Sequence, residues 1–393
     1  MKIQVVSPWY PNQYSPYSGK FVHSQVHALI DNGMDVAVEV PRPMPLTGLH
    51  VPKDLHDSII SVASKNIDHA FPSNQEATFI PCPIPIKSGP LDIAKAYETG
   101  IKTKRDFLSY DSDIVHAHLA LPTGLASKQL GDKPLVITEH QSNLKNILSD
   151  PRSKEAYLEV VENADAFVCV SEFLKNYLID IYGSRLSKSI EVIPNIVDFD
   201  SLDFNQRERY ESLSWIYVGS LYQHKGIVRL LKTFKMYKRL VAPEATLTLV
   251  GTGPLIHWVR KYSKRNGIRD SVFLVGAQPH EKLRNYYSKA DLLVHLSKFE
   301  TFGIVSLEAI ASGIPVVSFH NGGSEQTWEN ISRLCGRLLD SSSREQDIVE
   351  AIVDLTNHAD DLDLRAARSD IKERFSGYAI AGKLSTIYNG LIA

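Results

Sequence analysis

Ser297-Lys298-Phe299-Glu300-Thr301-Phe302-Gly303-Ile304-Val305-Ser306-Leu307-Glu308-Ala309-Ile310-Ala311-Ser312-Gly313-Ile314-Pro315-Val316-Val317 lies between two apolar runs, Leu292 to Leu296 and Pro315 to Phe319. A strand, a turn at Gly303, a helix and a second strand are expected from it, which is the repeating unit of a parallel α/β sheet. In open sheets of this kind the turn lies at the carboxyl ends of the strands, where ligands bind. A helix starting near Gly303 offers free amides from about Gly303 to Val305 to a phosphate. Glu300 and Glu308 would repel a diphosphate if they faced it, so they are expected to accept hydrogen bonds from hydroxyls. Glu308, just over one turn into the helix, suits a ribose, as an acidic residue does in dinucleotide folds. A glycosidase acid and nucleophile pair fits less well, because mostly helical rise separates the two carboxylates.

Outward from this stretch the alternation continues in both directions. Trp215 to Val218, Thr246 to Val250 and Val272 to Val275 read as strands with helical patterns between them. Before residue 200 the same rhythm appears in Ile3 to Ser7, Val36 to Val40, Ile114 to His116, Leu135 to Thr138, Ala166 to Val170 and Ile190 to Ile193, with a helix at Phe21 to Asp31. Apolar strands separated by helices indicate parallel sheets covered on both faces. Asp198 to Ser214 is polar and lacks strand periodicity, so two doubly wound α/β domains are expected, 1–204 and 205–376. The last residues, Tyr378 to Ile392, have helical apolar spacing and are expected to pack back on the first domain. Pro41 to Pro52 and Pro81 to Pro90 each hold four prolines and read as surface loops.

Composition supports this organisation. A chain of 393 residues exceeds the size at which one core usually stops growing, about 250–300 residues. Hydrophobic residues at 43% and charged residues at 22% describe a folded globular protein rather than a disordered one. Residues 1–200 hold 18 Lys+Arg against 24 Asp+Glu; subtracting from the totals of 43 and 45 leaves 25 against 21, so the two halves carry −6 and +4. That mild excess suits a compact anion such as a nucleotide diphosphate, whereas duplex nucleic acid needs a denser basic surface. Cys82, Cys169 and Cys335 are far apart, which excludes a disulfide framework or a zinc knuckle. The apolar start reaches Pro8 too soon for a signal peptide, and no window approaches a spanning helix of about 20 residues. A cytoplasmic protein is expected. Arg229, Lys232, Lys235, Lys238 and Arg239 form a basic helix face, read as solvated surface or as a peripheral contact with an anionic membrane.

The Glu300-Thr301-Phe302-Gly303 and Glu308-Ala309-Ile310-Ala311-Ser312-Gly313-Ile314-Pro315-Val316-Val317 strings resemble the signature of the retaining glycosyltransferases of family 4. The resemblance implies the GT-B fold, two Rossmann-like domains facing across a cleft. It further implies transfer of a hexose-type sugar from a nucleotide-diphosphate sugar, a UDP- or GDP-sugar, with no cofactor. No divalent metal is expected, on the reading that the chain lacks an Asp-x-Asp motif. The acceptor, whether a glycan, a lipid-linked compound or a small molecule, is not legible.

Other stretches follow the family's order. Val218-Gly219-Ser220-Leu221 with Lys225-Gly226 is similar to the loop and lysine that hold the diphosphate of the sugar donor, and an ammonium suits the charge growing on a leaving phosphate. Many relatives carry Arg at the position of Ser220, so Lys225 has more of that task or another basic residue substitutes. Val250-Gly251-Thr252-Gly253-Pro254 resembles a structural turn, Val275-Gly276-Ala277 the turn that reads the base, and Ile193-Pro194-Asn195 with Val197-Asp198 the element closing the first domain. Gly19, in Tyr17-Ser18-Gly19-Lys20-Phe21-Val22, sits where a glycine lets backbone approach a ligand. Alternation sends His116 and His118 to one face; the resemblance puts His118 near the transferred sugar and leaves His116 to packing. Glu139-His140 resembles a segment on the acceptor side.

By this reading Glu300, Lys225 and His118 are catalytic. Gly19, Gly219, Ser220, Lys225, Ala277, Thr301 to Val305 and Glu308 bind the sugar donor. The competing readings are a sugar-nucleotide epimerase of similar fold and a catalytically silent partner subunit of a transferase.

Overall fold

The computed structural model describes residues 1–12, 15–45, 77–84, 88–105, 111–205 and 213–393. They form two compact units, Met1–Pro194 with Ile380–Ala393, and Asn195–Ala379. The chain passes to the second unit ahead of the junction expected near residue 205, and residues 206–212 lie outside the described ones.

The first unit is a seven-stranded parallel sheet of β1 (Lys2–Val6), β2 (Asp35–Pro45), β3 (Ala77–Ile84), β4 (Ile114–His118), β5 (Leu135–Glu139), β6 (Ala166–Cys169) and β7 (Ile190–Val192), in the order β3-β2-β1-β4-β5-β6-β7. Helices α1 (Lys20–Asp31), α2 (Pro90–Arg105), α3 (Pro151–Asn163) and α4 (Glu172–Tyr182) connect the strands. Local sequence sets several helix starts. Asp150 Oδ2 accepts from the Ser153 amide at 2.9 Å ahead of Pro151, and Ser171 Oγ accepts from the Leu174 amide at 3.1 Å.

The proline-rich runs are not simply loops. Pro41, Pro43 and Pro45 belong to β2 and Pro81 and Pro83 to β3, paired in parallel register such as Pro41 with Ile80 and Pro43 with Cys82. Period-two spacing puts every missing N–H of a run on the same side of its strand. β3 is the sheet edge, and β1 stops pairing with β2 at Glu39, so those sides have no neighbouring strand to satisfy. Pro52 and Pro85 lie outside the described residues.

The second unit has six parallel strands, β8 (Ser214–Val218), β9 (Thr246–Val250), β10 (Val272–Gly276), β11 (Leu292–His295), β12 (Val316–Phe319) and β13 (Gly336–Leu339), in the order β10-β9-β8-β11-β12-β13. Its longer helices are α5 (Ile227–Leu240), α6 (Ile256–Arg265), α7 (His280–Tyr287), α8 (Ile304–Ala311), α9 (Glu345–Asn357) and α10 (Leu364–Phe375). Trp215, Phe234, Tyr237, Leu247 and Ile352 are in its buried core. Strand order reverses between β1 and β4 in one sheet and between β8 and β11 in the other, and such switch points open crevices at the carboxyl ends of the strands.

The final helix, α11 (Gly377–Ile392), buries Ile380, Ala381, Leu384 and Tyr388, and from Ile380 onward it belongs to the first unit. Asn32 Nδ2 donates to Ser385 Oγ at 2.9 Å. The basic face of α5 is partly turned inward. Arg229 donates to the Ser341 and Ser343 carbonyls, Lys235 to Asn266 Oδ1, and Lys238 to the Pro243 and Ala245 carbonyls.

Candidate functional site

Both switch points carry the residues the sequence singles out. After β11 the chain runs through Glu300, whose amide donates to the Asn321 carbonyl at 2.8 Å, before Gly303 starts α8. After β8 it runs through Gly219 and Ser220 to Lys225. The Lys225 ammonium donates to both oxygens of Glu300, at 2.8 and 2.9 Å, and His295 Nε2 lies 3.0 Å from Oε1. Burial alone would raise the Glu300 carboxyl, but the Lys225 charge and the His295 hydrogen bond override it and hold the group well below the usual carboxylate range. An ammonium has three N–H donors, so two to Glu300 leave one for another anion. His295 stacks on Tyr217 with ring centroids 5.8 Å apart, and its buried Nδ1 has no hydrogen-bond partner. Sequence reasoning missed His295; its signal is a histidine in the last position of a strand entering the motif.

Gly303 takes a left-handed conformation, φ 82° and ψ 36°, and no side chain caps α8. The first amides of this helix are therefore left without a side-chain acceptor. Phe302 does not share that face: it is buried, with its ring edge-on to Phe375 at 5.4 Å. Thr301 is buried too, while Ile304 and Val305 are half-buried. Of the expected contacts from Thr301 to Val305, Phe302 is thus left with its backbone alone. Glu308 is buried, with Oε1 2.8 Å from His280 Nε2 and Oε2 accepting from Tyr287 OH at 3.0 Å.

The glycine turns pack backbone on backbone. A Cβ on Gly251 would lie 1.8 Å from the Gly219 carbonyl oxygen, and one on Gly253 would lie 2.7 Å from that of Leu221. The Gly219 amide donates to the Val250 carbonyl and the Gly251 amide to that of Gly276, so these turns splice the ends of β8, β9 and β10 together. Ser220 offers its carbonyl to Tyr217 OH at 2.9 Å. Ala277 follows Gly276 at the end of β10 and is half-buried.

In the first unit, β4 ends in two stacked imidazoles, His116 and His118, 4.7 Å apart. His116 Nδ1 lies 2.6 Å from Tyr388 OH and Nε2 lies 2.7 Å from Thr138 Oγ1, and burial lowers its pKa to about 3. His118 is fully buried, its Nδ1 2.9 Å from His140 Nε2, while its Nε2 has no hydrogen-bond partner. Burial first, then the neighbouring His116 and His140, push its pKa well below the ordinary value, so the ring is neutral. Glu139, expected on the acceptor side, is fully buried. Its oxygens accept from the amides of Ala120, His140 and Gln141 and from Tyr157 OH, which ties the ends of β4 and β5 to α3. His140 packs on Phe21 with centroids 4.6 Å apart. Gly19 starts α1 at φ 66°, and a Cβ there would lie 2.3 Å from the Trp9 carbonyl oxygen. The close approach it permits is therefore to Trp9.

The sequence holds Asp-x-Asp triplets at Asp111–Asp113, Asp198–Asp200 and Asp361–Asp363. Asp113 accepts from the Lys2 amide, Asp111 pairs with Lys133, and Asp363 caps α10 through the Ala366 amide. The expectation that the chain lacks an Asp-x-Asp motif is thus corrected, and metal independence cannot rest on it. Among the described residues, no group of three or more His, Cys, Asp or Glu is placed to hold a metal ion, and no helix is long and apolar enough to cross a membrane.

The fold matches solved structures along its whole length. The chain is similar to a sucrose-phosphate synthase from Thermosynechococcus elongatus (TM-score 0.76, 19% identity, 100% of this chain and 99% of that one). It is also similar to HepE from Anabaena in complex with UDP and glucose (TM-score 0.70, 17% identity, 100% of each chain). These define the class as GT-B, an α/β protein of two Rossmann-like domains. The model for "Glycosyltransferase Family 4" matches residues 18–201 and that for "Glycosyl transferases group 1" matches residues 198–373. A glycogen synthase of Mycobacterium tuberculosis is 26% identical over 337 residues, 82% of this chain and 79% of that protein. The chain belongs to the family 4 glycosyltransferases and is an enzyme of that kind.

Proposed function

We propose that this glycosyltransferase moves a hexose-type sugar from a UDP- or GDP-sugar to a glycan, lipid-linked or small-molecule acceptor, with retention at the anomeric carbon and without a divalent metal. The observation that carries the reading is the Lys225 ammonium held 2.8 and 2.9 Å from the oxygens of Glu300, at the switch point where α8 begins. As the bond from the anomeric carbon to the diphosphate oxygen breaks, its electron pair leaves with the phosphate. The third N–H of Lys225 and the amides beginning α8 stabilise that charge. The acceptor oxygen bonds to the anomeric carbon on the same face, and its proton passes to the departing phosphate oxygen. Glu300 orients hydroxyls of the sugar, and Glu308 accepts from the ribose. HepE, solved with UDP and glucose, supports a nucleotide-sugar donor.

Incubation with UDP- and GDP-hexoses and an acceptor panel should give a product with the anomeric configuration of the sugar donor by NMR, unaffected by EDTA. Lys225→Ala and Glu300→Gln should each lower transfer by about 100-fold or more while circular dichroism stays unchanged. Full activity in both variants would sink the assignment. Isomerised sugar donor in the absence of any acceptor would point instead to an epimerase.

A further inference from the structure

The Glu308 carboxylate is held differently from its partner in the motif. No lysine is among its recorded partners; two side chains from one helix grip it. His280 and Tyr287 stand seven residues apart on α7, hence two turns along one face, and each takes a different oxygen of Glu308. An ionised carboxylate only accepts, so His280 Nε2 is the donor at 2.8 Å, and Tyr287 OH donates at 3.0 Å. The other ring nitrogen of His280 is fixed in turn, 3.1 Å from Ser201 Oγ and 3.9 Å from Asp198 Oδ2. A carboxylate has about four lone-pair positions, two per oxygen. With one occupied on each, each oxygen keeps one for an incoming donor. That is the requirement of a vicinal diol, whose two hydroxyls need one acceptor apiece.

We propose that His280 and Tyr287 are positioning residues that pre-set Glu308 to grip both ribose hydroxyls at once, and so make this enzyme select ribonucleotides over deoxyribonucleotides. The inference rests on the reading of Glu308 as the ribose group. Without either partner the buried carboxylate can turn, and one of its two hydroxyl contacts is lost.

Calorimetric titration with UDP, 2′-deoxy-UDP and 3′-deoxy-UDP, and with the corresponding GDP series, tests it. The wild type should bind the ribonucleotide about tenfold or more tightly than either deoxy form, the value of one hydrogen bond to a charged group. His280→Leu and Tyr287→Phe should each cut the ratio for at least one of the two deoxy forms below about threefold by weakening the ribonucleotide, and the loss should appear in KM of the sugar donor with kcat retained. His280→Gln, which keeps an N–H donor near the same place, should restore most of the ratio. Folded His280→Leu or Tyr287→Phe protein that keeps both wild-type ratios overturns the proposal. If His280→Leu does not fold, Tyr287→Phe, which removes one hydroxyl, decides in the same way. A wild type that does not discriminate ribose from deoxyribose overturns the ribose reading of Glu308 itself, a result distinct from failure of the positioning role.

Discussion

Glu300 owes its ionisation to Lys225 and His295. A carboxyl with 12% side-chain exposure would be driven toward its neutral form, and the two donors reverse that. Because its pKa is depressed in the folded state, the group stabilises the fold fully above the unfolded carboxylate value of about 4.3 and loses that contribution as pH falls toward the lower folded value. The gap in melting temperature between wild type and Glu300→Gln should therefore be widest near neutral pH and shrink steadily below about pH 4. A gap that is constant from pH 7 to pH 3 would mean that the ion pair adds nothing to stability. The pair also fixes Lys225 before any sugar donor arrives. A change at Glu300 therefore disturbs the lysine as well.

At the level of elements, the approach of loop to strand matters more than any one side chain. Gly226 starts α5 with φ 78°, and a Cβ there would fall 2.1 Å from the Leu296 carbonyl oxygen, at the end of β11 where the motif begins. Gly267 has a similar φ of 68° with nothing within 4 Å of its would-be Cβ. Gly267→Ala should therefore cost only the left-handed backbone penalty, about 1–2 kcal/mol, with activity intact. Gly226→Ala should cost more and also displace Lys225, lowering transfer at least about tenfold. Equal melting temperatures and activities for the two variants would contradict this. Glu139 shows the complementary case: its carboxylate accepts two amides of the turn after β5 and the Ala120 amide that follows β4, so it ties two strand ends together.

For the molecule as a whole, the last residues complete the first unit. Ile380, Leu384 and Tyr388 are buried there, and Tyr388 OH meets His116 beneath the stacked histidine pair. Removing residues 380–393 should expose this apolar face and destabilise the first unit by several kcal/mol, since a buried large apolar side chain is worth about 1.5–3 kcal/mol. Tyr388→Phe should cost only about 1 kcal/mol, the hydrogen bond alone. Calorimetric melts of the full chain, the truncation and the point variant give the ranking, and an unchanged melt for the truncation would refute it.

Periodicity, glycines and the Glu300 to Val317 string determined by themselves the two parallel α/β sheets, most of their strands and the residues at both switch points, because those features are local and repeat. β3 and β13 were not legible. Pro81 and Pro83 mask the first as a loop, and the second, Gly336–Leu339, is four residues long and opens with a glycine packed against the Val316 carbonyl. Tertiary structure alone decided the distant partners of the buried carboxylates: Lys225 on Glu300, His280 and Tyr287 on Glu308, Tyr157 and the Ala120 amide on Glu139. Such pairings join residues far apart in the chain, and only the folded sheet, by excluding water, makes an unpaired charge costly enough to require them.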